Sequence, residues 1–425
     1  MSRSSTSGSL KAQVAALSAA AGVGALCGAA SAAFLFLLEL ATKTRTTHEW
    51  LVYALPLAGV VIGLAYERLG STVVRGNDLV IDTVHAGGPT IPARMAPMVF
   101  FFTLVTHLFG GSAGREGTAV QMGASLADTL ARRLSVSAEV RSAMLVAGVA
   151  GGFGSVFGTP LAGAIFALEL VVKGRIATTR LAPALVAAFV GDAVTRKLGI
   201  VHTPYPTIAT QSLDLALSAK WALFAIAIAI TAIAFIEGTH RLKAFLAERI
   251  TRLPLRAALG GVAVVVLWKL ASTSDYLGLG VPGIVAAFHA PTPPWVFFSK
   301  LVFTVVTLGA GFVGGEVTPL FFIGATLGAT LAPALGIPQP LAAAVGLAAM
   351  FGVAANTPIA LSIMAVELFG SGVLPHVVLV VVLAWVLAGR RSIYRAQRSA
   401  DVSSDREEAA AASSRRSRKT RDRGA

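Results

Sequence analysis

The sequence predicts an all-α polytopic membrane protein built from two structurally related halves with broken, tilted helices. The 425-residue chain is 55% hydrophobic and only 13% charged, with a mean hydropathy of +0.75, which is too apolar for an ordinary soluble protein. A glycine-rich turn that carries a glutamate occurs twice, at 110–118 and 311–319. Several apolar runs approach or exceed the ~20 residues that span a bilayer as a helix, namely 14–38, 51–66, 221–236 and 372–389.

We predict four segments along the chain. They are a polar cytoplasmic N-terminal segment at 1–13, a first transmembrane half at 14–200, a second transmembrane half at 201–390 and a tail at 391–425. From 390 to 425, eleven Lys/Arg stand against five Asp/Glu without an apolar period, so we expect this basic tail to be disordered and cytoplasmic. A second basic stretch, 241–256, also indicates the cytoplasm by the positive-inside rule. Both termini are therefore expected in the cytoplasm, and anionic membrane lipid is an expected partner of the basic stretches.

The composition excludes several other classes of protein. The net charge of +14 does not indicate nucleic-acid binding, because neither interleaved aromatic residues nor a soluble module accompanies it. Cys27 is the only cysteine, which excludes an intrachain disulfide. The seven histidines are scattered, so no metal and no cofactor are expected. The long Ala/Gly-rich run near the N-terminus lacks a cleavage site and predicts a retained first helix.

The first half begins with two apolar spans and continues with an unusual polar block. Between Arg75 and Pro97, polar residues alternate with short apolar pieces, which predicts a short or re-entrant helix opened by Gly76, Asn77 and Asp78. The plain interpretation of Asn77 is an N-cap.

The first glycine-rich turn then leads into three further predicted elements. A helix is predicted from Glu116 to Arg133, and the apolar run 142–150 is followed by a glycine-rich break at 151–158. Another helix is predicted from Pro160, where a proline is well placed, to Glu169.

The second half repeats these marks. A helix opens at 316–319 and runs to about 333, the run 342–352 follows, and 355–358 opens a helix to 367. The prolines at 160 and 358 are 198 positions apart, as are the glutamates at 169 and 367. A repeat with segments broken at corresponding places indicates a transporter site between two related halves. The spacing leaves open whether the repeat is inverted or parallel.

The predicted helix starts indicate an anion-binding site. The first N–H groups of a helix lack intrahelical partners and lie at the positive end of its dipole, so several starts aimed at one point bind an anion. Four starts are candidates, near Asn77, Glu116, Thr318 and Thr357. Asn77 could add an amide N–H and Thr318 a hydroxyl, and neighbouring glycines let backbone approach a small ion. A cation carrier would present acidic side chains or unwound carbonyls instead, so the pattern favours an anion.

Three glutamates need separate interpretations. A carboxylate within a membrane segment is costly, which makes Glu116 a candidate for function. At a helix start it can occupy the anion site itself and leave when protonated, so a proton and an anion would claim one position in turn. Alternatively, it completes the helix start or pairs with a nearby arginine. Glu169 and Glu367 end their helices, where interfacial ends, structural pairing or proton relay are open and structural roles are favoured.

Residues 114–118, Gly-Arg-Glu-Gly-Thr, resemble the G(K/R)EGP motif of the CLC family of chloride channels and proton-coupled anion antiporters, with Thr118 in place of the proline. The stretch 158–163 and its helix to Glu169 are also similar to the family pattern, and the resemblance covers about 14–390. It implies a CLC-like fold and a homodimer with a separate pathway in each subunit.

Two departures from the family pattern are informative. Gly76-Asn77-Asp78-Leu79-Val80 stands where the family has GSGIP, so Asn77 replaces the serine typical of chloride handling. The later GxFxP motif is replaced by Gly-Gly-Glu-Val-Thr-Pro at 314–319, which is similar to the fluoride-exporting branch. The resemblance therefore implies a fluoride/proton antiporter of the bacterial inner membrane, with fluoride and protons as its transported partners.

The resemblance also implies roles for individual residues. Glu116 resembles the proton and anion gate, Leu170 aligns with the internal proton-transfer glutamate of chloride antiporters, and Tyr394 is the candidate for their ion-coordinating tyrosine. Rings whose positive edges could face the anion are Phe100, Phe101, Phe102, Phe321 and Phe322, although most phenylalanines face lipid or core. The predicted anion-binding residues are Gly76, Asn77, Asp78, Gly114, Arg115, Gly117, Glu316, Val317 and Thr318.

Other functions remain as alternatives. A chloride/proton antiporter or a passive chloride channel would have the same fold. A more distant alternative is an intramembrane hydrolase, because 110–114 satisfies G-x-S-x-G with Ser112 at its centre and His107 nearby. That motif needs a strand-to-helix turn, whereas this one follows a membrane helix and its echo at 311 lacks the serine, so no enzyme activity is expected.

Overall fold

The computed structural model describes residues 3–84, 88–173 and 180–399, and within them the chain is almost entirely helical. Residues 1–2 and the tail from 400 onward lie outside the described residues, and the side chains of 3–13 are not described either. The first half contains α1 (Arg3–Thr47), α2 (Leu55–Leu69), α3 (Asn77–Val84), α4 (Met95–Leu108), α5 (Glu116–Arg133), α6 (Ala138–Phe157), α7 (Pro160–Glu169) and α8 (Leu181–Lys197). The second half contains α9 (Leu215–Arg249), α10 (Leu253–Ala271), α11 (Val281–Ala286), α12 (Pro294–Gly309), α13 (Val317–Leu335), α14 (Gln339–Ala354), α15 (Pro358–Phe369) and α16 (Leu374–Ala388).

Seven described helical segments are long and apolar enough to cross a membrane, and the four predicted apolar runs fall on four of them. Shorter apolar helices, α4, α7, α12, α14 and α15, lie between these spans. The predicted helices beginning at Glu116 and Pro160 are confirmed as α5 and α7. The chain is therefore a multi-pass membrane protein that combines full spans with short helices.

The two halves pack as an inverted pair, which the sequence left open. A Cβ on Gly63 of α2 would lie 2.4 Å from Pro254 Cα of α10, and a Cβ on Gly261 of α10 would lie 2.7 Å from Pro56 Cα of α2. Both contacts join positions that are equivalent after a displacement of 198 residues. The early part of each helix meets the later part of the other, so equivalent membrane helices run antiparallel, as an inverted repeat requires.

The predicted break at 151–158 is wrong, because α6 continues without interruption to Phe157. Its glycines serve close helix packing instead. A Cβ on Gly152 would lie 2.3 Å from the carbonyl oxygen of Ala119 on α5, a distance that no side chain tolerates. The helix ends at Gly158, whose φ of +78° forms a left-handed cap.

The tail prediction is also wrong for residues 391–399, which fold back against the helices. Ile393 N–H donates to Ala354 O at 2.9 Å, and Gln397 Nε2 donates to Ala355 O at 2.8 Å. Strand β2 (Arg398–Ser399) then pairs in parallel with β1 (Val172–Lys173). The carbonyl groups at the end of α14 lack intrahelical partners, and this segment satisfies them.

Candidate anion site

The two glycine-rich turns meet at the centre of the molecule. Gly114 N–H donates to Gly315 O at 2.6 Å, and Gly315 N–H donates to Gly114 O at 2.8 Å, which forms an isolated antiparallel bridge. Each turn leads directly into a helix, α5 on one side and α13 on the other. The bridge therefore holds two helix starts from opposite halves side by side.

The Glu116 carboxylate lies on the start of α13. Its side chain is fully buried, and both carboxylate oxygens lie 2.7 Å from the Thr318 hydroxyl, which donates to them. Thr318 N–H and Arg115 N–H each donate to Glu116 Oε2 at 3.2 Å, and Arg115 Nε lies 3.4 Å from Oε1. The carboxylate thus occupies donors that could otherwise bind an anion, and the predicted arginine pairing is present beside them.

Asn77 and Glu316 approach the same point from two other directions. A Cβ on Gly117 would lie 3.3 Å from Asn77 Nδ2 and 3.4 Å from Glu316 Oε2, so the absence of a side chain at 117 leaves room between them. Asn77 Oδ1 and Glu316 Oε2 are both buried and have no hydrogen-bond partner in the part of the chain that the structure describes. The N-cap interpretation of Asn77 is therefore wrong, because its oxygen accepts no bond from α3.

Tyr394 joins this group from the segment that follows α16. The side chain is 4% exposed and lines the same cavity as Asn77 and Glu316. Tyr394 N–H donates to Ser392 Oγ at 3.1 Å, which helps fix the segment. Sequence reasoning kept this tyrosine only as a candidate, because it lies beyond the last apolar run.

The side chain of Asp78 does not fit the predicted anion-binding role, which leaves its backbone amide, in the first turn of α3, as the candidate. Its Oδ1 accepts the N–H of Ala396 at 2.9 Å, which ties the Tyr394 segment to α3. An ionised carboxylate only accepts hydrogen bonds, so it offers nothing to an anion. Asp78 thus anchors the segment that carries Tyr394. Val317, which is buried in the first turn of α13, remains a candidate anion-binding residue through its backbone amide.

A cavity of about 640 Å³ leads to this group. Gly76, Asn77, Glu316 and Tyr394 line it, and they belong to the site. Basic residues also line it, of which Arg75, Lys243 and Arg395 are exposed and Arg256 is half-buried. Lys243 and Arg256 come from the predicted cytoplasmic stretch 241–256. A cleft lined by positive charge raises the local concentration of anions.

None of the five predicted rings lines this cavity. Phe101 is 59% exposed on the outer surface, so its predicted place on the path is wrong. Phe321 packs edge-on against other buried rings, and Phe322 packs near Tyr276. Phe100 and Phe102 pack against Phe34 and Tyr66. The phenylalanine and tyrosine residues that do line the cavity are Tyr66, Phe235, Phe312 and Tyr394.

The fourth predicted helix start, at Thr357, is already filled. Glu169 accepts the N–H groups of Ile359 and Ala360, the first free donors of α15, at 3.1 and 2.8 Å. Glu367 in turn accepts those of Leu161 and Ala162 on α7 at 2.9 and 2.7 Å. Both glutamates therefore make structural contacts at helix starts, and Thr357 does not belong to the anion site.

Ser112 and His107 do not form a hydrolase pair. Ser112 Oγ lies 2.9 Å from Thr304 Oγ1, and the two ring nitrogens of His107 contact the carbonyl oxygens of Thr103 and Ala113. The histidine is thus engaged by backbone, without a hydrogen bond to Ser112, and the turn follows a helix. This arrangement lacks the serine–histidine contact that nucleophilic catalysis needs.

Comparison with known proteins agrees with this architecture. The family model described as voltage gated chloride channel matches residues 58–389, most of the membrane region. The chain belongs to the voltage-gated chloride channel, or CLC, family. The CLC fold expected from the sequence is confirmed by a crystal structure of a CLC-type fluoride/proton antiporter, 34% identical with a TM-score of 0.88, covering 91% of this chain and 98% of that one.

Two further comparisons place this CLC protein among its relatives. The chloride/fluoride channel protein of Pseudomonas syringae pv. tomato is 46% identical over 387 residues, which are 88% of this chain and 84% of that protein. A slow cyanobacterial Cl⁻/H⁺ antiporter is 18% identical, with a TM-score of 0.79 over 89% of this chain and 96% of that one. The second likeness concerns the fold alone.

Proposed function

We propose that this CLC protein is an antiporter that exports fluoride from the cytoplasm in exchange for protons. The observation that carries the proposal is the position of the Glu116 carboxylate, which holds the Thr318 hydroxyl and amide at the start of α13. A carboxylate and a fluoride ion are both strong hydrogen-bond acceptors, so they compete for the same donors. Protonation of Glu116 decides which of the two acceptors holds these donors.

Exchange follows from this competition. The ionised Glu116 excludes an anion from the α13 start by charge and by occupying its donors. Protonation removes the charge and turns one acceptor oxygen into a donor, so the side chain leaves and the Thr318 hydroxyl and amide become free. An anion arriving through the cavity then binds there, and its exit allows Glu116 to return once its proton is released.

The groups that line the cavity next to Glu116 suit a small, strongly hydrated anion. Asn77 supplies an amide N–H, Tyr394 a hydroxyl, and Glu316 a carboxyl whose Oε2 has no partner among the described residues. The proposal assigns Glu316 a neutral form on the path, in which its carboxyl group donates a hydrogen bond to the passing anion.

The comparisons support the same substrate. The relative at 46% identity is named for chloride and fluoride, and the structure at 34% identity is a fluoride/proton antiporter. The proposal includes a homodimer in the bacterial inner membrane, with both termini and the basic mouth of the cavity in the cytoplasm. The three arginines and one lysine of the mouth would then raise the anion concentration on the side from which the anion is exported.

The alternative function is chloride/proton antiport or passive chloride conduction on the same fold. It is favoured by the family model, which is named for chloride, and by the double naming of the relative from Pseudomonas.

Purified protein in liposomes decides between these functions. Fluoride and chloride efflux are followed with electrodes, and proton uptake with a pH-sensitive dye. We expect fluoride efflux with proton uptake, and little chloride efflux. Equal rates for the two anions would refute fluoride selectivity, and fluoride efflux without proton uptake would refute antiport.

A variant pair tests the gate. We expect Glu116→Gln to abolish proton coupling, because an amide cannot carry the exchanged proton. Glu39→Gln is the matched control, since Glu39 is an exposed carboxylate on α1 that pairs with Lys43. Coupling that survives in Glu116→Gln would remove Glu116 from the mechanism.

A further inference from the structure

A second group of cations is buried away from the cavity. Arg45, near the end of α1, is only 5% exposed, and its Nε has no hydrogen-bond partner in the described parts of the chain. Lys300 of α12 is fully buried and donates to the carbonyl oxygens of Tyr276 and Gly278 at 3.1 and 2.7 Å. The two cations lie within electrostatic range of each other.

These cations converge on one loop. Arg45 Nη2 lies 3.5 Å from the position of a Cβ on Gly278, and His107 Cδ2 lies 3.8 Å from it. His107 also contacts Ala113 O, in the turn that leads to Glu116. The pair of Arg45 and Lys300, which we call the outer cation cluster, therefore packs beside His107, directly behind the turn that carries Glu116.

The outer cation cluster and the cavity lie at opposite ends of α10. Leu253 begins this helix and lines the cavity, whereas the loop with Gly278 follows its end. Nineteen residues rise about 28 Å at 1.5 Å per residue, close to the thickness of a membrane core. An anion that has passed Glu116 from the cavity would leave on the side of this cluster.

The charge of the cluster is only partly balanced by the described residues. The two groups that Lys300 contacts are neutral carbonyls. Glu49 lies within electrostatic range of Arg45, but it is exposed and accepts a hydrogen bond from Ser274 rather than forming an ion pair with the guanidinium. Two buried cations whose nearby carboxylate is exposed and bonded elsewhere are unfavourable, so a bound anion would stabilise the pair.

We propose that the outer cation cluster binds one small inorganic anion as a separate subsite, contacted by the guanidinium of Arg45 and the ammonium of Lys300. A halide ion fits better than a lipid phosphate, because Arg45 is almost entirely enclosed by protein. The subsite rests on charge alone, so it takes fluoride or chloride and does not depend on which anion the protein transports.

Calorimetric titration of purified protein tests this subsite, with sodium fluoride and sodium chloride as probes at constant ionic strength. We expect wild-type protein to bind one more anion per chain than Arg45→Gln, while Arg45→Lys keeps it. Because ionised Glu116 occupies the Thr318 donors, the same titrations are repeated in the Glu116→Gln background. There Thr318→Val should lose an anion independently of Arg45→Gln, and the two changes together should lose both anions. In that background, a change with Thr318→Val alone would overturn the subsite, and a change with Arg45→Gln alone would instead count against the proposed gate.

Two controls complete the test. Lys269→Gln removes an exposed cation at the same end of α10 and should leave the number of bound anions unchanged. Bound phospholipid is measured as phosphorus per chain. A phospholipid lost on Arg45→Gln, with no change in bound halide, would assign the cluster to a lipid headgroup and overturn the proposal. If Arg45→Gln does not fold, the number of anions bound by Thr318→Val still tests the subsite. The proposal requires that Thr318→Val retain one bound anion per chain.

Discussion

Glu169 and Glu367 cap each other's helices across the two halves. Each lies in the last turn of its own helix, and its carboxylate accepts two N–H groups at the start of the other helix. The exchange places α7 and α15 antiparallel, with the dipole of each start facing a negative charge. It also explains why glutamates occur at helix C-terminal ends, where their own dipoles disfavour them.

We expect Glu169→Gln to destabilise the protein more than Glu367→Gln. A hydrogen bond to a charged group contributes about 1.5–3 kcal/mol when buried, and Glu169 is 1% exposed. Glu367 is exposed, so its contribution is discounted for screening. Thermal unfolding of both variants in detergent measures the difference. Equal midpoints, or an unchanged midpoint for Glu169→Gln, would contradict the capping role.

Thr318→Val should slow fluoride efflux, whereas Thr318→Ser should keep most of it. Valine has nearly the shape of threonine but lacks the hydroxyl that donates to both oxygens of Glu116. Loss of one charge-assisted bond is worth roughly tenfold in rate if it acts in the limiting step. Electrode recordings from liposomes give the rates. A Thr318→Ser variant as slow as Thr318→Val would show that methyl packing matters instead.

Asn77→Ser should lower the ratio of fluoride to chloride efflux. Serine offers a single hydroxyl on a shorter side chain, so the space beside Gly117 widens and the amide donor near Glu316 disappears. A change of about 1.4 kcal/mol in discrimination corresponds to a tenfold change in the ratio. The two rates are measured with electrodes on the same liposome preparation. A ratio that stays at its wild-type value would remove Asn77 from anion selection.

Asn356→Gly should disturb Tyr394 without straining the backbone. Asn356 has φ of +60°, which glycine adopts freely, but its side chain bonds Trp385 Nε1 and Arg391 O and so holds the segment that carries Tyr394. We expect the efflux ratio of Asn356→Gly to match that of Tyr394→Phe, and the double variant to add nothing. Trp385→Phe removes one of the two bonds and should have an intermediate effect. Additive effects would show that Asn356 acts independently of Tyr394.

Much of the fold could be predicted because its signals are local in the chain. Helix starts at Glu116 and Pro160 follow from turn residues and proline, and the apolar runs fix the spans. The glycines of α6 misled the prediction, since glycine breaks a helix in isolation but permits close packing in a membrane bundle. Local pattern does not distinguish these two uses.

The sequence by itself determined a polytopic membrane protein, the repeat and the resemblance to the CLC family, because composition and spacing carry them. Only the tertiary structure decided the inverted orientation, the role of Asp78 as an anchor and the contact between Glu116 and Thr318. Those two residues are 202 positions apart, and a hydrogen-bond partner at that distance is selected by packing. The same holds for Glu169 and Glu367, whose carboxylates find their donors only when the two halves come together.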